Sequence, residues 1–585
     1  MSIRPAALAN GRQRGSHLVA SAWKWLPSPI ASLHFLLVLL LAYQTETRGI
    51  GVCLVMLLAV FLYNLCRCFH LGPRLGSFLS LSFILLIFAA SKFKFWLSAR
   101  RLHPFDLYIY GDIRNFDYIK DLYPTLYPYL YASMAAFLAL VVTIAYFERR
   151  VGPRRGHLVA MMLSVASFVA FSGASRYLDG NGYGPGNRFL HFDHQHVSTF
   201  IIALVHAAPN LLSEPVFQYG PKQAIDMSAV KRMQHNSCQP NSVDKRPHIV
   251  TVLRESITIP ARIPAMAVPN VNDDYFKSYD GMARTMRVET HGAGSAFTIF
   301  SVLTGLSAEA FGGTKILALD LMPGRIHYSI AKLMSGCGYR PIVVSSGIAG
   351  YVASEKFYRS AGFEEYYDLN ALKAHSGGDI TDRAIYAYLE TFLRTGPDRR
   401  PVFAYVDTTA SHAPYDSKLR ADEEIPEANG IANREIAEYV RRLLLGERDL
   451  SQFLTRAESR AANADGRPLV VVDFGDHQPP FTKDLVGHPG YVIEDPDRDD
   501  PHLLTYFRIR SAGMKLAAIP KDHAVTDAAF LSDWLLQALG WQIDGVYRER
   551  WHMIEKCKSR YWQCDNRAAA YTLHQTMKQA GYLTF

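Results

Sequence analysis

The stretch Leu469–Pro480, which reads LVVVDFGDHQPP, decides the fold of the second half of the chain. Residues 469–472 are all apolar and mostly β-branched, and they predict a short buried strand because they lack helical spacing. A proline pair ends regular structure after it. Asp476 and His477 are therefore expected at the carboxyl end of a buried strand, where open α/β sheets bind ligands and metals. From this stretch alone, an exposed turn is an equally good alternative.

The first part of the chain is dominated by apolar runs. The chain has 585 residues, which is too long for one ordinary core and predicts two or more domains. Because ~20 apolar residues cross a bilayer, the runs predict five membrane spans, and buried helices of a soluble protein are a poor alternative for five in succession. The runs are about 28–44, 50–66, 76–96, 127–147 and 157–175.

Loop charges predict the orientation of these spans. The segment 1–26 is basic and has no cleavage site after an apolar core, so it is expected to be a cytoplasmic tail. The connections after the second and fourth spans carry arginines, which favour the cytoplasmic side. Five spans then place everything after residue 176 outside. The predicted domains are the tail 1–26, a transmembrane domain 27–176, a juxtamembrane connector 177–246 and an extracytoplasmic domain 247–585.

The basic residues follow this topology and do not form a nucleic-acid site. The formal net charge is +9, but the excess is spread over short loops between apolar runs and forms no long basic tract. A nucleic-acid partner is therefore not expected.

The cysteines offer one candidate disulfide and no thiolate metal site. Cys53, Cys66 and Cys68 lie in or beside apolar runs and are expected to be free. Cys557 and Cys564 are close enough in sequence to bridge, and we predict that they do if the domain is exported. No paired CxxC motifs are present, so zinc bound by thiolates is not expected.

From residue 248 onward, short apolar strands alternate with helical stretches. This alternation predicts an α/β domain with a mostly parallel sheet covered by helices on both faces. The predicted strands are Ile249–Leu253, Pro341–Ser345, Val402–Asp407, Leu469–Asp473 and Leu503–Ile509, and predicted helices include Tyr328–Met334, Thr381–Thr395 and Ala432–Leu454.

Chemically capable side chains recur at strand ends and helix starts in this domain. The candidates are Glu255, Ser295, His412, Asp476, His477 and His488. Singly, each has an ordinary alternative: the glutamate or the serine could cap a helix, and His412 and His488 could be surface histidines. Ser295 follows a glycine-rich turn at a helix start, where an anion such as phosphate is favoured. Jointly, two carboxylates, an imidazole and a hydroxyl would suit a hard divalent metal such as Zn²⁺ or Mn²⁺.

With these motifs, the chain resembles the sulfatase-like membrane phosphotransferases of the alkaline phosphatase superfamily. This group includes lipoteichoic acid synthases and the phosphoglycerol and phosphoethanolamine transferases. The resemblance rests on FGDH at 474–477, ES at 255–256, GS at 294–295 ahead of LTGL at 303–306, SHAPY at 411–415 and AGFEEYYD at 361–368. It implies an alkaline-phosphatase-like αβα sandwich, and it implies one divalent metal, Mn²⁺ or Zn²⁺ with Mg²⁺ as a further candidate.

The resemblance also implies a role for each candidate residue. Glu255, Ser295, Asp476 and His477 match the metal ligands, and Ser295 matches the nucleophile. His412 matches the histidine of the substrate pocket, a catalytic proton donor, and His488 matches a second substrate-binding histidine that contacts phosphate.

The implied activity is the transfer of a phospholipid-derived phospho-headgroup, phosphoglycerol or phosphoethanolamine. The headgroup would pass through a phospho-Ser295 intermediate to a cell-envelope glycan or lipid, on the outer face of the bacterial inner membrane. A metal-dependent phosphodiesterase with water as acceptor is the first alternative. A non-catalytic partner-binding protein is a second one, and a transporter fits poorly because the spans hold few charges.

Two departures from the family pattern bear on substrate and nucleophile. Many relatives use threonine where this chain has Ser295, so Thr290 and Thr298 stay fallback nucleophiles. The segment Val343–Lys356 lacks the His and Trp-Asn-Arg pattern associated with phosphoglycerol recognition, which leaves the headgroup open. Residues 295–299 also lack the Pro and Arg of the formylglycine motif, so sulfate ester hydrolysis is not expected.

Overall fold

The structure is a computed structural model, and contacts divide the chain into two compact units. It describes residues 29–46, 49–98, 101–104, 106–107, 126–148, 155–180, 196–201, 204, 217–234, 246–263, 266, 273–347, 354–394, 398–425, 431–462, 466–485, 500–521, 523, 525–541 and 545–585. The first unit comprises 1–92, 101–104 and 120–206, and the second comprises 93–100, 105–119 and 207–585. The three predicted boundaries between the four domains stay predictions.

Long apolar helices make up most of the first unit. They are α1 (Pro29–Thr45), α2 (Gly49–Cys68), α3 (Pro73–Ser98), α4 (Leu126–Phe147) and α5 (Arg155–Gly180), so all five predicted apolar runs are helical. In the part of the chain that the structure describes, three segments are long and apolar enough to cross a membrane: Gly51–Cys68, Pro73–Phe95 and Tyr127–Phe147.

The prediction of five spans is therefore not confirmed. Helix α1 has 17 residues, which is short of the ~20 that a bilayer requires. Within the described residues, the apolar segment of α5 is Gly156–Ala170, which is also shorter than that length. That α1 and α5 also cross the membrane remains a prediction.

The second unit contains the sheet. Its strands are β1 (His248–Arg254), β2 (Arg284–Arg287), β3 (Arg340–Val344), β4 (Glu365–Tyr367), β5 (Val402–Thr408), β6 (Leu469–Gly475), β7 (Leu504–Ala512) and β8 (Val525–Asp527). Its helices are α6 (Met227–Gln234), α7 (Ser295–Thr304), α8 (Ala318–Leu321), α9 (Ile330–Gly336), α10 (Ser354–Ser360), α11 (Leu369–Ser376), α12 (Asp382–Phe392), α13 (Arg434–Ala461), α14 (Leu531–Ala538), α15 (Val546–Cys557) and α16 (Ala568–Gln579).

The sheet is mostly parallel, as the sequence predicted. The strand order is β4-β3-β5-β1-β6-β7-β2-β8. Strand β7 runs antiparallel to both its neighbours, β6 and β2, and the other described pairings are parallel. All five predicted strands are present, and their predicted bounds are close to the observed ones.

Both faces of the sheet are buried. In β1, Ile249 and Leu253 pack into one hydrophobic core, whereas Val250 and Val252 pack into another. Because successive side chains of a strand point to opposite faces, the sheet is covered on both sides. This explains why the central strands read as continuous apolar runs and not as alternating ones.

The central strands end together and so define the site. Arg254, the last residue of β1, is paired with Thr408 of β5 and with Gly475 of β6. All three strands are parallel, so the segments that follow them leave the sheet at the same edge. Glu255 and Asp476 directly follow two of these strand ends.

The predicted disulfide is confirmed. Cys557 and Cys564 are bridged, with their Cα atoms 5.2 Å apart. Cys53, Cys66 and Cys68 are free, as expected for cysteines in or beside apolar helices.

Candidate active site

Glu255, Asp476 and His477 form a compact cluster at the sheet edge. Each offers one ligand atom, and these atoms lie within 4.8 Å of one another. His477 Nε2 is 3.4 Å from Glu255 Oε1 and 3.3 Å from Asp476 Oδ2. Asp476 and His477 are buried, at 0% and 2% exposure. The exposed turn, which was the alternative for this stretch, is therefore wrong.

Ser256 holds the two carboxylates of the cluster in place. Its N–H donates to Asp476 Oδ1 at 2.8 Å, and its hydroxyl donates to Glu255 Oε1 at 2.8 Å. Ser256 has φ 54°, a left-handed conformation that costs a residue other than glycine backbone energy and is often found at functional sites. Sequence reasoning quoted Ser256 in a motif but gave it no role, because its conformation depends on the neighbouring strand β6.

The donor set fits one divalent cation. Among the described residues, Asp476 Oδ2 is buried and has no hydrogen-bond partner. Burial, and next the charge of Glu255, raise the pKa of Asp476 to about 7, a penalty that a bound cation would remove. His477 Nδ1 lies 3.0 Å from the Gln478 carbonyl, which fixes the proton there and leaves Nε2 as the ligand atom.

Ser295 lies beside this cluster at the start of α7. Its Oγ donates to Glu255 Oε2 at 3.3 Å. The turn before it contains Gly292 at φ 74° and Gly294 at φ 96°, conformations that glycine adopts without steric cost. The helix N-terminus adds backbone N–H groups and a partial positive charge, which suit a phosphoryl group.

The hydroxyls of the two fallback nucleophiles both donate to backbone carbonyls. Thr298 is buried, and its hydroxyl donates to the Asp476 carbonyl at 2.7 Å. Thr290 is also buried, and its hydroxyl donates to the Ala293 carbonyl within the glycine-rich turn. The geometry therefore favours Ser295, and the two threonines shape the backbone around it.

His412 lies on the loop after β5 and is exposed. Its Nδ1 contacts the Ala413 carbonyl, so Nε2 is the ring nitrogen that can face a substrate. Burial alone would raise the pKa of Glu255, but the neighbouring His477 and His412, together with the hydrogen bonds to Ser256 and Asp476, lower that pKa. His412 is thus near the cluster, although no direct hydrogen bond between them is present in the described part of the chain. The predicted His488 lies outside the described residues.

A buried network of charged side chains lies next to the ends of β1 and β6. It was not predicted from the sequence. Arg254 Nη1 donates to Glu447 Oε2 at 2.8 Å, and Arg508 Nε donates to both Asp473 oxygens at 2.8 Å. The Tyr506 hydroxyl donates to Asp473 Oδ2 at 2.7 Å. The network joins β1, β6, β7 and α13. Charged residues inside otherwise apolar strands were its only signal in the sequence.

A family comparison agrees with the motifs. Residues 275–541 match the family model described as Sulfatase. This match includes Ser295, His412, Asp476 and His477, and it confirms the sulfatase-like resemblance of this part of the chain. No curated protein sequence is significantly similar to the chain.

Several solved structures are similar to the chain at low identity. The lipooligosaccharide phosphoethanolamine transferase EptA from Neisseria meningitidis has a TM-score of 0.46 and 12% identity, and the likeness covers 88% of this chain and 95% of that protein. The Streptococcus pyogenes phosphoglycerol transferase GacH, in complex with sn-glycerol-1-phosphate, has a TM-score of 0.44 and 17% identity over 61% and 88% of the two chains. The lipoteichoic acid synthase LtaP from Listeria monocytogenes has a TM-score of 0.40 and 17% identity over 54% and 78%.

Proposed function

Because residues 275–541 match the sulfatase family, we propose that this chain is a membrane-bound, metal-dependent phosphotransferase. It moves the phospho-headgroup of a membrane phospholipid, phosphoglycerol or phosphoethanolamine, to a hydroxyl of a cell-envelope glycan or lipid. One observation carries this proposal. The Ser295 hydroxyl lies 3.3 Å from Glu255 Oε2, at a helix N-terminus, and Glu255 belongs to one cluster with the buried Asp476 and His477.

One divalent cation completes the proposed site. Glu255, Asp476, His477 and Ser295 would hold it, and their mixed oxygen and nitrogen donors suit Zn²⁺ or Mn²⁺, with Mg²⁺ as a further candidate. When bound, such a cation lowers the pKa of a hydroxyl and polarises a phosphoryl oxygen.

In the first step, Ser295 takes the headgroup from the lipid. Its Oγ, which would have lost its proton to solvent with the cation bound, forms a bond to the headgroup phosphorus, and the bond from phosphorus to the diacylglycerol oxygen breaks. That oxygen takes a proton from His412, so diacylglycerol leaves as an alcohol. The N-terminus of α7 stabilises the negative charge on the phosphoryl oxygens.

In the second step, the acceptor removes the group from the protein. The acceptor hydroxyl gives its proton to His412 and its oxygen attacks phosphorus, after which the bond to Ser295 Oγ breaks and leaves that oxygen deprotonated, as it was before the first step. Water in place of the acceptor makes the same site a phosphodiesterase, which is the alternative function. His488 is proposed to contact the phosphate in both steps.

The apolar helices would anchor the site at the membrane, where its lipid donor is found. The donor is a membrane lipid, so a domain anchored by spans in the bacterial inner membrane meets it at the surface. We propose that the sheet domain lies on the outer, periplasmic or extracellular side, where envelope glycans and lipids are accessible.

The test is the substitution Ser295→Ala in the full chain. Incubation with vesicles of phosphatidylglycerol or phosphatidylethanolamine is expected to leave a headgroup-phosphate adduct on Ser295, and its mass identifies the group transferred. Ser295→Ala is expected to lose the adduct and lower diacylglycerol release by about 10³-fold or more. Ser295→Thr is the matched control and is expected to keep both.

Further arms of this experiment separate the alternatives. A chelator is expected to abolish turnover, and separate addition of Zn²⁺, Mn²⁺ or Mg²⁺ identifies the ion that restores it. With an envelope extract present, transfer gives a headgroup-modified glycan or lipid, whereas a phosphodiesterase gives the free headgroup phosphate. An adduct retained in Ser295→Ala would overturn the assignment of the nucleophile.

A further inference from the structure

The loop that carries His412, residues 409–417 and called the His412 loop below, is anchored at its start by a buried carboxylate. Asp382 begins α12, and its Oδ1 accepts the backbone N–H groups of Thr409 and Ala410, each at 3.0 Å. Asp382 is 3% exposed, so it is shielded from competing water. The first residues of the loop therefore have a fixed path as they leave β5.

The rest of the His412 loop is fastened by one guanidinium. Arg442, on α13, donates from Nη1 to the His412 carbonyl at 2.9 Å and from Nη2 to the Ser417 carbonyl at 2.7 Å. Its guanidinium carbon also lies 5.4 Å from the centroid of the Tyr415 ring. The Tyr415 hydroxyl donates to the Ser411 carbonyl at 2.7 Å, which closes the loop on itself. A planar fork that bonds two carbonyls fixes their separation as well as their direction.

Arg442 is itself held rigidly. Its Nε donates to Glu438 Oε1 at 2.8 Å, and the side chain is buried. Glu438 lies one helical turn earlier on α13, so the pair belongs to a single rigid element. Arg442 therefore fixes the His412 loop to α13, a long helix that also packs against the sheet.

The backbone contacts of His412 decide where its ring points. Its N–H donates to the Thr409 carbonyl at 2.9 Å, its carbonyl accepts from Arg442, and its Nδ1 contacts the Ala413 carbonyl. With Nδ1 engaged in this way, Nε2 is the nitrogen left for proton exchange. Any shift of the His412 carbonyl would therefore move Nε2 away from its working position.

From this arrangement we propose that Arg442 is the positioning residue of His412. It acts through the backbone of the His412 loop and does not touch the substrate. The inference rests on the proposed function, in which His412 gives a proton to the leaving diacylglycerol oxygen and takes one from the acceptor hydroxyl.

The chain offers a matched control in the neighbouring arginine. Arg441 also donates from Nε to Glu438 at 2.8 Å and is similarly buried. It also donates from Nη2 to Glu438 Oε1 at 3.0 Å, and its remaining bonds go to the Leu419 carbonyl and, at 3.2 Å, to the Glu423 carbonyl. Both carbonyls lie outside the His412 loop. Arg441→Ala therefore removes a similar buried ion pair without releasing His412.

The test is a double-mutant cycle on the full chain in lipid–detergent micelles. His412→Ala is expected to lower diacylglycerol release from phosphatidylglycerol or phosphatidylethanolamine by about 100-fold. Arg442→Ala is expected to lower it by about tenfold or more, and adding His412→Ala to it should then cost much less than in the wild type. Arg441→Ala should release diacylglycerol at close to the wild-type rate. Adding His412→Ala to Arg441→Ala should then lower that rate by the same factor as in the wild type.

A second substrate separates positioning from a general structural role. In the first step the 4-nitrophenolate group of bis(4-nitrophenyl) phosphate leaves without a proton, so Arg442→Ala should lower the initial burst of 4-nitrophenolate much less than it lowers diacylglycerol release from the lipid. Arg442→Lys keeps the charge but not the fork, and its activity should fall between those of wild type and Arg442→Ala. Thermal unfolding of each variant verifies that it is folded.

Three results would overturn the inference. One is an equal loss of diacylglycerol release and of the initial 4-nitrophenolate burst, and another is full additivity of Arg442→Ala with His412→Ala. The third is a His412→Ala variant as active as wild type, which removes the premise. The proposed function fails separately, through retained activity in Ser295→Ala, so the two failures are distinguishable.

Discussion

At the scale of single residues, Ser256 combines backbone strain with two contacts to the proposed metal ligands. Its φ of 54° favours glycine, yet its hydroxyl donates to Glu255 Oε1 at 2.8 Å. Groups that orient metal ligands typically change metal affinity by about 10–100-fold when they are removed. We expect Ser256→Ala and Ser256→Gly both to weaken Zn²⁺ binding by about tenfold, as measured by chelator competition on the full chain.

The two variants separate strain from ligand orientation. Alanine keeps the unfavourable left-handed conformation, whereas glycine relieves it, so Ser256→Gly should be more stable than Ser256→Ala by about 1 kcal/mol. Unfolding of the metal-free protein measures this difference. Unchanged Zn²⁺ affinity in both variants would show that the hydroxyl does not orient Glu255.

Glu289 gives the domain a pH-dependent stability away from the site. It is partly buried, it accepts a hydrogen bond from Ser307, and one of its oxygens is buried and has no partner among the described residues. Burial, and next the charge of Glu309, raise the pKa of Glu289 from 4.5 to about 8. The folded protein favours the neutral form of Glu289. Its contribution to the free energy of unfolding is therefore fully present below the unfolded pKa of 4.5 and is lost as the pH rises toward 8.

Replacement by glutamine removes this titration. Between about pH 5 and pH 8, the wild type should lose up to about 1.4 kcal/mol per pH unit relative to Glu289→Gln. The difference between the two unfolding free energies, measured by denaturant titration at several pH values, tests this. Parallel pH profiles for the two proteins would contradict it.

At the scale of elements, the glycine of the FGDH motif lets three chain segments meet. A Cβ on Gly475 would overlap Thr505 Oγ1 and would lie 3.0 Å from the Ile257 Cβ. The Thr505 hydroxyl donates to the Ile257 carbonyl at 2.8 Å, so it cannot move freely. Gly475→Ala should therefore destabilise the domain by about 1–3 kcal/mol through overpacking.

A second substitution tests that explanation. Thr505→Ala removes the closest clashing atom, so the double variant should recover part of the stability lost in Gly475→Ala. Gly336→Ala is a suitable control, because its Cβ would meet no atom within 4 Å. Strict additivity of the two substitutions in denaturant unfolding would rule out the clash with Thr505.

The elements also show what the sequence could and could not predict. The five predicted strands are largely buried on both faces, so their apolar runs were visible without knowledge of their partners. Strands β2, β4 and β8 have only three or four residues, and β2 reads RTMR, so they depend on pairing that the sequence does not reveal. The candidate ligands were found because parallel strands end together. The Arg442 fork and the Ser256 turn were missed because both depend on contacts between distant segments.

At the scale of the whole molecule, the proposed function requires a particular topology. The sheet domain must lie where envelope acceptors are, on the outer side of the inner membrane. The Cys557–Cys564 disulfide agrees with that placement, because structural disulfides persist mainly in oxidising compartments. The arginines that follow α2 and precede α5 favour the cytoplasmic side for those connections.

Cysteine labelling in intact cells tests this topology. In a background with Cys53, Cys66 and Cys68 replaced by alanine, a cysteine at Lys373 of the sheet domain should react with a membrane-impermeant maleimide. A cysteine at Phe69, which follows α2 and is 70% exposed, should react only after the cells are permeabilised. The same reagent is used at both positions, and both side chains are exposed, so differences in reactivity reflect the side of the membrane. Labelling of Phe69→Cys but not of Lys373→Cys in intact cells would reverse the orientation and remove the envelope acceptor from the proposed reaction.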